Sequence, residues 1–321
     1  MRRFWVGMIA GLLAVAGTHA IAEDNFPNRP IKIVVPYAPG GLADTISRVL
    51  TERMARDLGG QFVLESRPGA NGTVASAAVA RAEPDGYTLL ITVEGHAVNP
   101  SFFDRLSYDA VRDFVPVGFI GKSPMLLAVH PSVPARSVEE YIRLAKSEPD
   151  SLTYGSIGFG SASHLAGEVL RTGADISIRH VPFRGGAPAL NDLVAGHIKS
   201  MFVSPIIGLQ HFQTGALVPL AIAAPERSEL LPNVPTMAEA GFALDASYWF
   251  GLVAPAATPA PVLRKLEGAL AEALKDPGTR LRLTQMGAIV DYKDGRDFGR
   301  FIAAETEFWG KFVRTHNIKS Q

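Results

Sequence analysis

The chain has 321 residues, 47% of them hydrophobic, with 31 basic and 31 acidic side chains, eight histidines and no cysteine. This length allows one large domain or two medium ones, and this apolar content excludes a wholly disordered chain. Without cysteine there are no disulfides, thiolate metal sites, cysteine nucleophile or lipidated cysteine, and a balanced charge with no basic block argues against nucleic acid as a partner.

The first 22 residues stand apart. Arg2 and Arg3 give a positive start, Phe4 to Gly17 an apolar core, and Ala20-Ile21-Ala22 a small-x-small site for cleavage before Glu23. This is the pattern of a secretory signal peptide. Its apolar run is short for a membrane anchor, which needs about 20 residues. An exported chain with no cysteine to lipidate is expected in the periplasm of a Gram-negative bacterium.

Ile31 to Val35 reads as a buried strand, Pro36 to Gly41 as a turn, and Asp44 to Leu58 as a helix. Ile46, Val49, Leu50, Met54 and Leu58 keep helical spacing, and Gly59-Gly60 ends the run. A strand–glycine–helix unit turns free backbone N–H groups and the positive end of a helix dipole outward, which suits a carboxylate or phosphate. Taken alone, one such unit is better explained by a loop that merely needs glycine to turn. Phe62 to Glu65 reads as a second strand, Arg67 to Thr73 as a turn-rich junction, Val74 to Ala82 as a helix and Tyr87 to Val93 as a third strand. Gly95 to Pro100 follows as a loop. The β-α-β-α-β rhythm predicts a parallel sheet covered by helices, with ligands bound beyond the carboxyl ends of its strands.

Asp113 to Ile120 starts a new segment, and Met125 to Val129 is a strand. Ser137 caps a helix with Glu139 and Glu140 in its first turn. Leu152 to Ser161 is a strand ending in a second glycine turn, with Ser161 as N-cap of a helix carrying His164, Leu165, Val169 and Leu170. Ile176 to Phe183 is a strand that enters a third glycine turn, Arg184-Gly185-Gly186. Pro188 then sits near the first helical position, and Asp192 about one turn into that helix. Lys199 to Val203 and Leu217 to Ala223 read as strands, and Tyr248 to Ala254 as an aromatic-rich extended run. An amphipathic helix runs from Pro261 to Leu274. A final helix carries Phe298, Phe301 and Ile302, with Phe308, Trp309 and Phe312 expected on a core face. Two separate βα blocks predict two lobes, residues 23–122 plus 248–321 and residues 123–247. A chain that crosses twice between them makes a two-strand hinge for closure over a ligand.

Catalytic constellations are missing. There is no G-x-S-x-G nucleophile elbow, no H-E-x-x-H, no Walker A lysine and no metal-ligand spacing among the histidines. Gly158-Phe159-Gly160 begins like a dinucleotide fingerprint, but Ser163 stands at the position of its third glycine. Neither a metal nor a cofactor is expected, and the chain is not expected to be an enzyme.

The sequence resembles the receptors of tripartite tricarboxylate transporters, the TctC or Bug family of solute-binding proteins. The resemblance rests on Arg29 to Pro36, Pro39-Gly40-Gly41 with Asp44 and Arg48, Arg67 to Ala70, and Pro84 to Leu90. It continues through Tyr154-Gly155-Ser156, Gly160-Ser161, His164 to Glu168, His180-Val181-Pro182 with Gly185, Leu231 to Thr236, Glu239-Ala240-Gly241, Trp249 and Ala254-Pro255. It covers essentially the whole chain after the signal. It implies an α/β fold of the Venus-flytrap type: a two-lobed periplasmic binding protein with a parallel-rich sheet in each lobe. It also implies a small carboxylate held by main-chain groups and ordered water from loops of both lobes, and membrane transporter components or a sensor kinase as partner of a monomeric receptor. Leu42-Ala43 stands where many relatives have proline and a hydroxyl residue, Phe159 where asparagine is common, Phe183 where tyrosine is common, and Asn71-Gly72-Thr73 in place of a double glycine.

Carried over residue by residue, the resemblance makes Pro39, Gly40, Gly41 and Asp44 ligand-binding candidates in the first lobe, and Ser156, Gly160, Ser161, His164, Gly185 and Asp192 in the second. Asp44 either contacts the ligand through water or caps its helix. Ser156 and Ser161 either donate to a carboxylate or hold the turn, and His164 is either a donor or a core histidine. Arg184 either reaches a distal carboxylate or stays solvated. An enzyme on a carboxylated substrate, with His164 as base and Asp192 orienting it, is the competing reading.

Overall fold

A computed structural model describes residues 25–103, 105–244, 246–315 and 318. The expected signal peptide, residues 1–22, lies outside them. The first block runs β1 (Ile31–Val35), α1 (Leu42–Leu58), β2 (Phe62–Ser66), a 3-10 turn η1 (Ala70–Gly72), α2 (Thr73–Ala80) and β3 (Thr88–Val93). β1 lies between β2 and β3 and is parallel to both. Alternation of β-branched residues lets Ile31, Ile33 and Val35 leave water almost completely, and each such side chain contributes about 1.5–3 kcal/mol.

A short helix, α3 (Gly95–Phe102), replaces the loop expected at 95–100 and contains Pro100. Tertiary partners override the turn signal there: His96 Nε2 lies 2.8 Å from the Ala110 carbonyl, and Asn99 Nδ2 donates to the Asn71 carbonyl at 3.0 Å. Next comes β4, a single strand from Phe114 to Val129 where two pieces were expected. Pro116 is accommodated because the ladder is irregular there, with register shifts against β4's neighbour at Pro116/Gly118 and Phe119/Gly121, and Pro124 stands at the last residue pair of that ladder.

The second block runs α4 (Val138–Ser147), β5 (Thr153–Ser156), α5 (Ala162–Gly173), β6 (Arg179–Pro182), α6 (Gly186–Val194), β7 (Ser200–Val203), α7 (Pro205–Gln213) and β8 (Val218–Ala223). β5 is parallel to β6 and β7, while β7 and β8 run antiparallel to the end of β4. The strand expected over 176–183 is confined to β6, which follows β5 for only four residue pairs.

The chain then returns along β9 (Ser247–Pro255), continues through α8 (Ala260–Lys275), α9 (Pro277–Gln285) and β10 (Ile289–Asp294), and ends in α10 (Gly295–Thr315). β9 is antiparallel to β3 on one side and to the first part of β4 on the other, and β10 adds to β4. Each lobe therefore has a parallel outer half and an antiparallel inner half, and β4 belongs to both sheets. β4 and β9 are the two strands that pass between the lobes. Trp249 of β9 is fixed to α10 through Glu305, whose Oε2 accepts from Trp249 Nε1 at 3.2 Å and Trp309 Nε1 at 3.1 Å. Phe308 departs from its expected core placement: it is 57% exposed.

Candidate functional site

Both lobes send loops from the carboxyl ends of their parallel strands into one gap. From the first come the β1–α1 bend, the η1 turn and Phe103 after α3; from the second come the β5–α5 and β6–α6 bends. Between them lies a cavity of about 360 Å³ lined by Tyr37, Gly69 to Asn71, Phe103, Ile157 to Phe159 and Pro182 to Arg184. The lobes are in contact around it. A Cβ placed on Gly185 would stand 3.1 Å from the Ala38 nitrogen, and one on Gly160 would stand 3.2 Å from Asn71 Nδ2. Gly185 also has φ +139°, a conformation that a side chain disfavours.

The three glycine turns differ in what their helix ends do. Gly41 and Gly185 are the N-caps of α1 and α6, and neither helix has a side-chain cap. These two ends converge: a Cβ on Gly41 would lie 3.8 Å from the Gly186 nitrogen, and one on Gly40 would lie 3.8 Å from Ala187 Cβ. The positive ends of two helix dipoles thus face each other, an arrangement that an anion between them relieves. Nearby, the amides of Ala38, Phe159, Arg184 and Gly185 donate to nothing among the described residues. Unpaired main-chain donors beside a cavity are what a carboxylate needs.

α5 is different. Ser161 Oγ accepts from the His164 amide at 3.3 Å and donates to the Gly158 carbonyl at 2.7 Å. Glu94, at the end of β3 in the other lobe, places Oε1 3.2 Å from the Ala162 amide. The α5 terminus is therefore filled by the protein's own groups.

Several expected site residues make hydrogen bonds within their own loops. Asp44 is 5% exposed, accepts from the Gly40 amide at 3.1 Å and is held by both Arg48 Nε (2.9 Å) and Nη2 (3.1 Å). It restrains the bend and takes up the Gly40 donor. Ser156 Oγ accepts from the Gly158 amide at 3.1 Å and lies 2.6 Å from His180 Nε2. His164 Nδ1 accepts from the Gly160 amide at 3.1 Å, and its ring packs 4.3 Å from that of His180. Burial pushes the His164 imidazole down to about 4 and that of His180 to about 3, so both are neutral near pH 7. His164 with Nδ1 so engaged is poorly placed as a base. Asp192 sits apart from the cavity lining, near the far end of α6, and its carboxylate lies 3.4 Å from His197 Nδ1. Pro39 lies at the exposed tip of the β1–α1 bend.

Tyr37, Asn71 and Phe103 were missed as lining residues. Tyr37 donates to Asn71 Oδ1 at 2.8 Å, and Asn71 Nδ2 donates to Asn99 Oδ1 at 3.0 Å, which fixes the floor of the first-lobe side. Burial raises the Tyr37 hydroxyl well above its ordinary range, with the Glu94 charge adding to it, so it stays a donor. The walls are otherwise apolar: Phe103, Ile157, Phe159, Pro182 and Phe183. Arg184 is the one cation of the lining, and it has no partner among the described residues. A larger cavity of about 450 Å³ lies behind the cleft against Trp249, Phe301 and Phe308. Several of its polar side chains are engaged with one another, Glu305 with two indoles and Lys293 with Asp291. The smaller cavity is the one bordered by free main-chain amides and the two uncapped helix ends.

Two hinged α/β lobes around a ligand-sized cavity define a solute-binding protein of the Venus-flytrap class. The chain belongs to the tripartite tricarboxylate transporter family of receptors: the family model TctC, "Tripartite tricarboxylate transporter family receptor", matches residues 46–318. Among similar solved structures is the periplasmic binding protein BugD, 31% identical, with a TM-score of 0.89 over 92% of this chain and 100% of that one. Rpa4515 of R. palustris, solved with adipate, is 33% identical with a TM-score of 0.89 over 92% and 99% of the two chains. MatC (Rpa3494) of Rhodopseudomonas palustris, solved with malate, is 34% identical with a TM-score of 0.85 over 90% and 100%. Among the described residues no helix is long and apolar enough to cross a membrane.

Proposed function

We propose that this chain is a periplasmic receptor that closes two lobes over a small carboxylate with an apolar body and passes it to the membrane components of a tripartite tricarboxylate transporter. The first lobe comprises residues 23–122 and 248–321, the second residues 123–247, and the signal peptide is cleaved after Ala22. The carboxylate lies between the ends of α1 and α6, against the amides of the 38–41 and 184–186 bends. The rest of the ligand lies along Phe103, Phe159 and Phe183. The free amides of Ala38, Arg184 and Gly185 act directly, Gly41 leaves the α1 end uncapped, and Gly40, whose amide Asp44 accepts, helps to shape the bend. Pro39, Asp44, Ser156, Gly160, Ser161 and His164 hold the bends in shape, and Asp192 takes no part.

One observation carries this reading: two uncapped helix ends and unpaired amides meet at the edge of a cavity whose walls are otherwise aromatic and aliphatic. Each helix end contributes up to about 2 kcal/mol to an anion in a partly buried setting. Because the two ends belong to different lobes, that attraction is complete only when the lobes meet, and it therefore drives closure. The relatives solved with adipate and malate support a carboxylate. The apolar lining favours an adipate-like or aromatic acid over a compact polyacid. Calorimetry with adipate, benzoate, malate and citrate tests this. Adipate or benzoate is expected to bind tightest, and binding by none of the four overturns the proposal.

A further inference from the structure

Glu94 is an acid in an unusual position. It is 1% exposed and belongs to the first lobe, and its hydrogen bond to the Ala162 amide crosses to the second. Its other oxygen, Oε2, is buried with no partner, as is Thr92 Oγ1 two residues earlier. The titratable groups that face it from the surrounding elements are Tyr37 from the β1–α1 bend, Tyr248 from β9 and Glu305 from α10; none is a cation. An ionised carboxylate enclosed this way keeps one oxygen desolvated and unpaired, which is costly. A protonated carboxyl loses the charge and still accepts from Ala162.

We propose that Glu94 is a proton-binding group that couples lobe closure to pH: solvated when the lobes part, its carboxyl takes one proton from solvent when α5 closes over it. The two states of the carboxyl then differ in affinity for the proton. Burial raises it from its ordinary 4.5 to about 7 in the closed form, against the pull of the Ala162 amide. A raised carboxyl favours the closed form as pH falls. The gain grows as pH drops below about 7 and levels off near 4.5, where the open form is protonated too. His96 and His164, pushed to about 4 by burial, and His180, at about 3, stay mainly neutral throughout that window.

The inference rests on the hinged motion, and its test needs no ligand. Because the chain has no cysteine, spin labels can be placed at Val63→Cys on β2 and Arg179→Cys on β6, the outermost strands of the two lobes. Distances between labels on the full chain report the ratio of closed to open molecules. Between pH 8 and pH 6 that ratio is expected to rise about tenfold in the otherwise native chain. Glu94→Gln, which mimics the protonated carboxyl, is expected to be closed at both pH values. Ala162→Pro removes the cross-lobe donor at the first helical position, where proline is tolerated, and is expected to lower the closed fraction at pH 8. A native-chain distance distribution that does not change with pH overturns the proposal, and so does a Glu94→Gln variant with the native pH response. If neither labelled variant of the pair folds, the native-chain pH comparison alone decides it.

Discussion

The β1–α1 and β5–α5 bends look alike in sequence and do opposite things. Both are strand, glycine turn and helix, and both open on the gap between the lobes. At α1 the N-cap is Gly41 with no side-chain cap; at α5 it is Ser161, helped by Glu94 from the other lobe. The first leaves its helix end without a side-chain cap, while the second has spent its donors on the protein's own groups. A glycine turn is thus permission for an anion site, and what decides is whether a side chain arrives first. By this criterion α6, capped by Gly185, belongs with α1.

The contrast can be broken experimentally at several points. Gly185→Val should have the largest effect. Its side chain would enter the 3.1 Å space to the Ala38 nitrogen, and loss of adipate affinity by more than about a hundredfold is expected, or about 2.7 kcal/mol. Circular dichroism should still report a folded chain, and native affinity in this variant would remove the α6 end from the site. Phe159→Asn puts an amide in the apolar wall; adipate should weaken about tenfold while malate changes less, as read by calorimetry. Equal changes for both acids would show that the wall does not select the body of the ligand. Ser161→Ala should instead lower the stability of the ligand-free protein by about 1 kcal/mol in urea unfolding, the ordinary worth of an N-cap. Asp192→Asn should do least, with stability within about 0.5 kcal/mol of native and no change in affinity.

What was legible follows from range. The β1–glycine–α1 unit was readable because strand periodicity, glycine and helical spacing all lie within thirty residues of chain. β4 reads as two pieces because Pro116 and Pro124 signal breaks, and only pairing with β9 shows that a register shift follows Pro116 and that Pro124 still pairs, with Ser247. α3 was hidden by Pro100, since the partners that hold it, Ala110 and Asn71, are not visible in local spacing. For the polar site candidates, local spacing gives position in the loop but not hydrogen-bond partners. Whether Ser161 or His164 faces a guest or its own loop depends on hydrogen-bond partners a turn away. The occupant of the α5 end, Glu94, is 68 residues distant in sequence. Asp192 was placed on the right helix, but spacing alone did not fix its distance from the gap.

The unbroken run of β4 from one sheet into the other has a further consequence. Where it enters the second sheet, the Met125 amide donates to the Ala246 carbonyl at 3.1 Å, so the two points of crossing lie side by side. A stretch whose beginning and end are neighbours can be lifted out and replaced without moving its surroundings. Residues 125–246 are therefore a natural cassette, and grafting the same stretch from a relative with another diet would give a chimera whose appetite is set half by each parent.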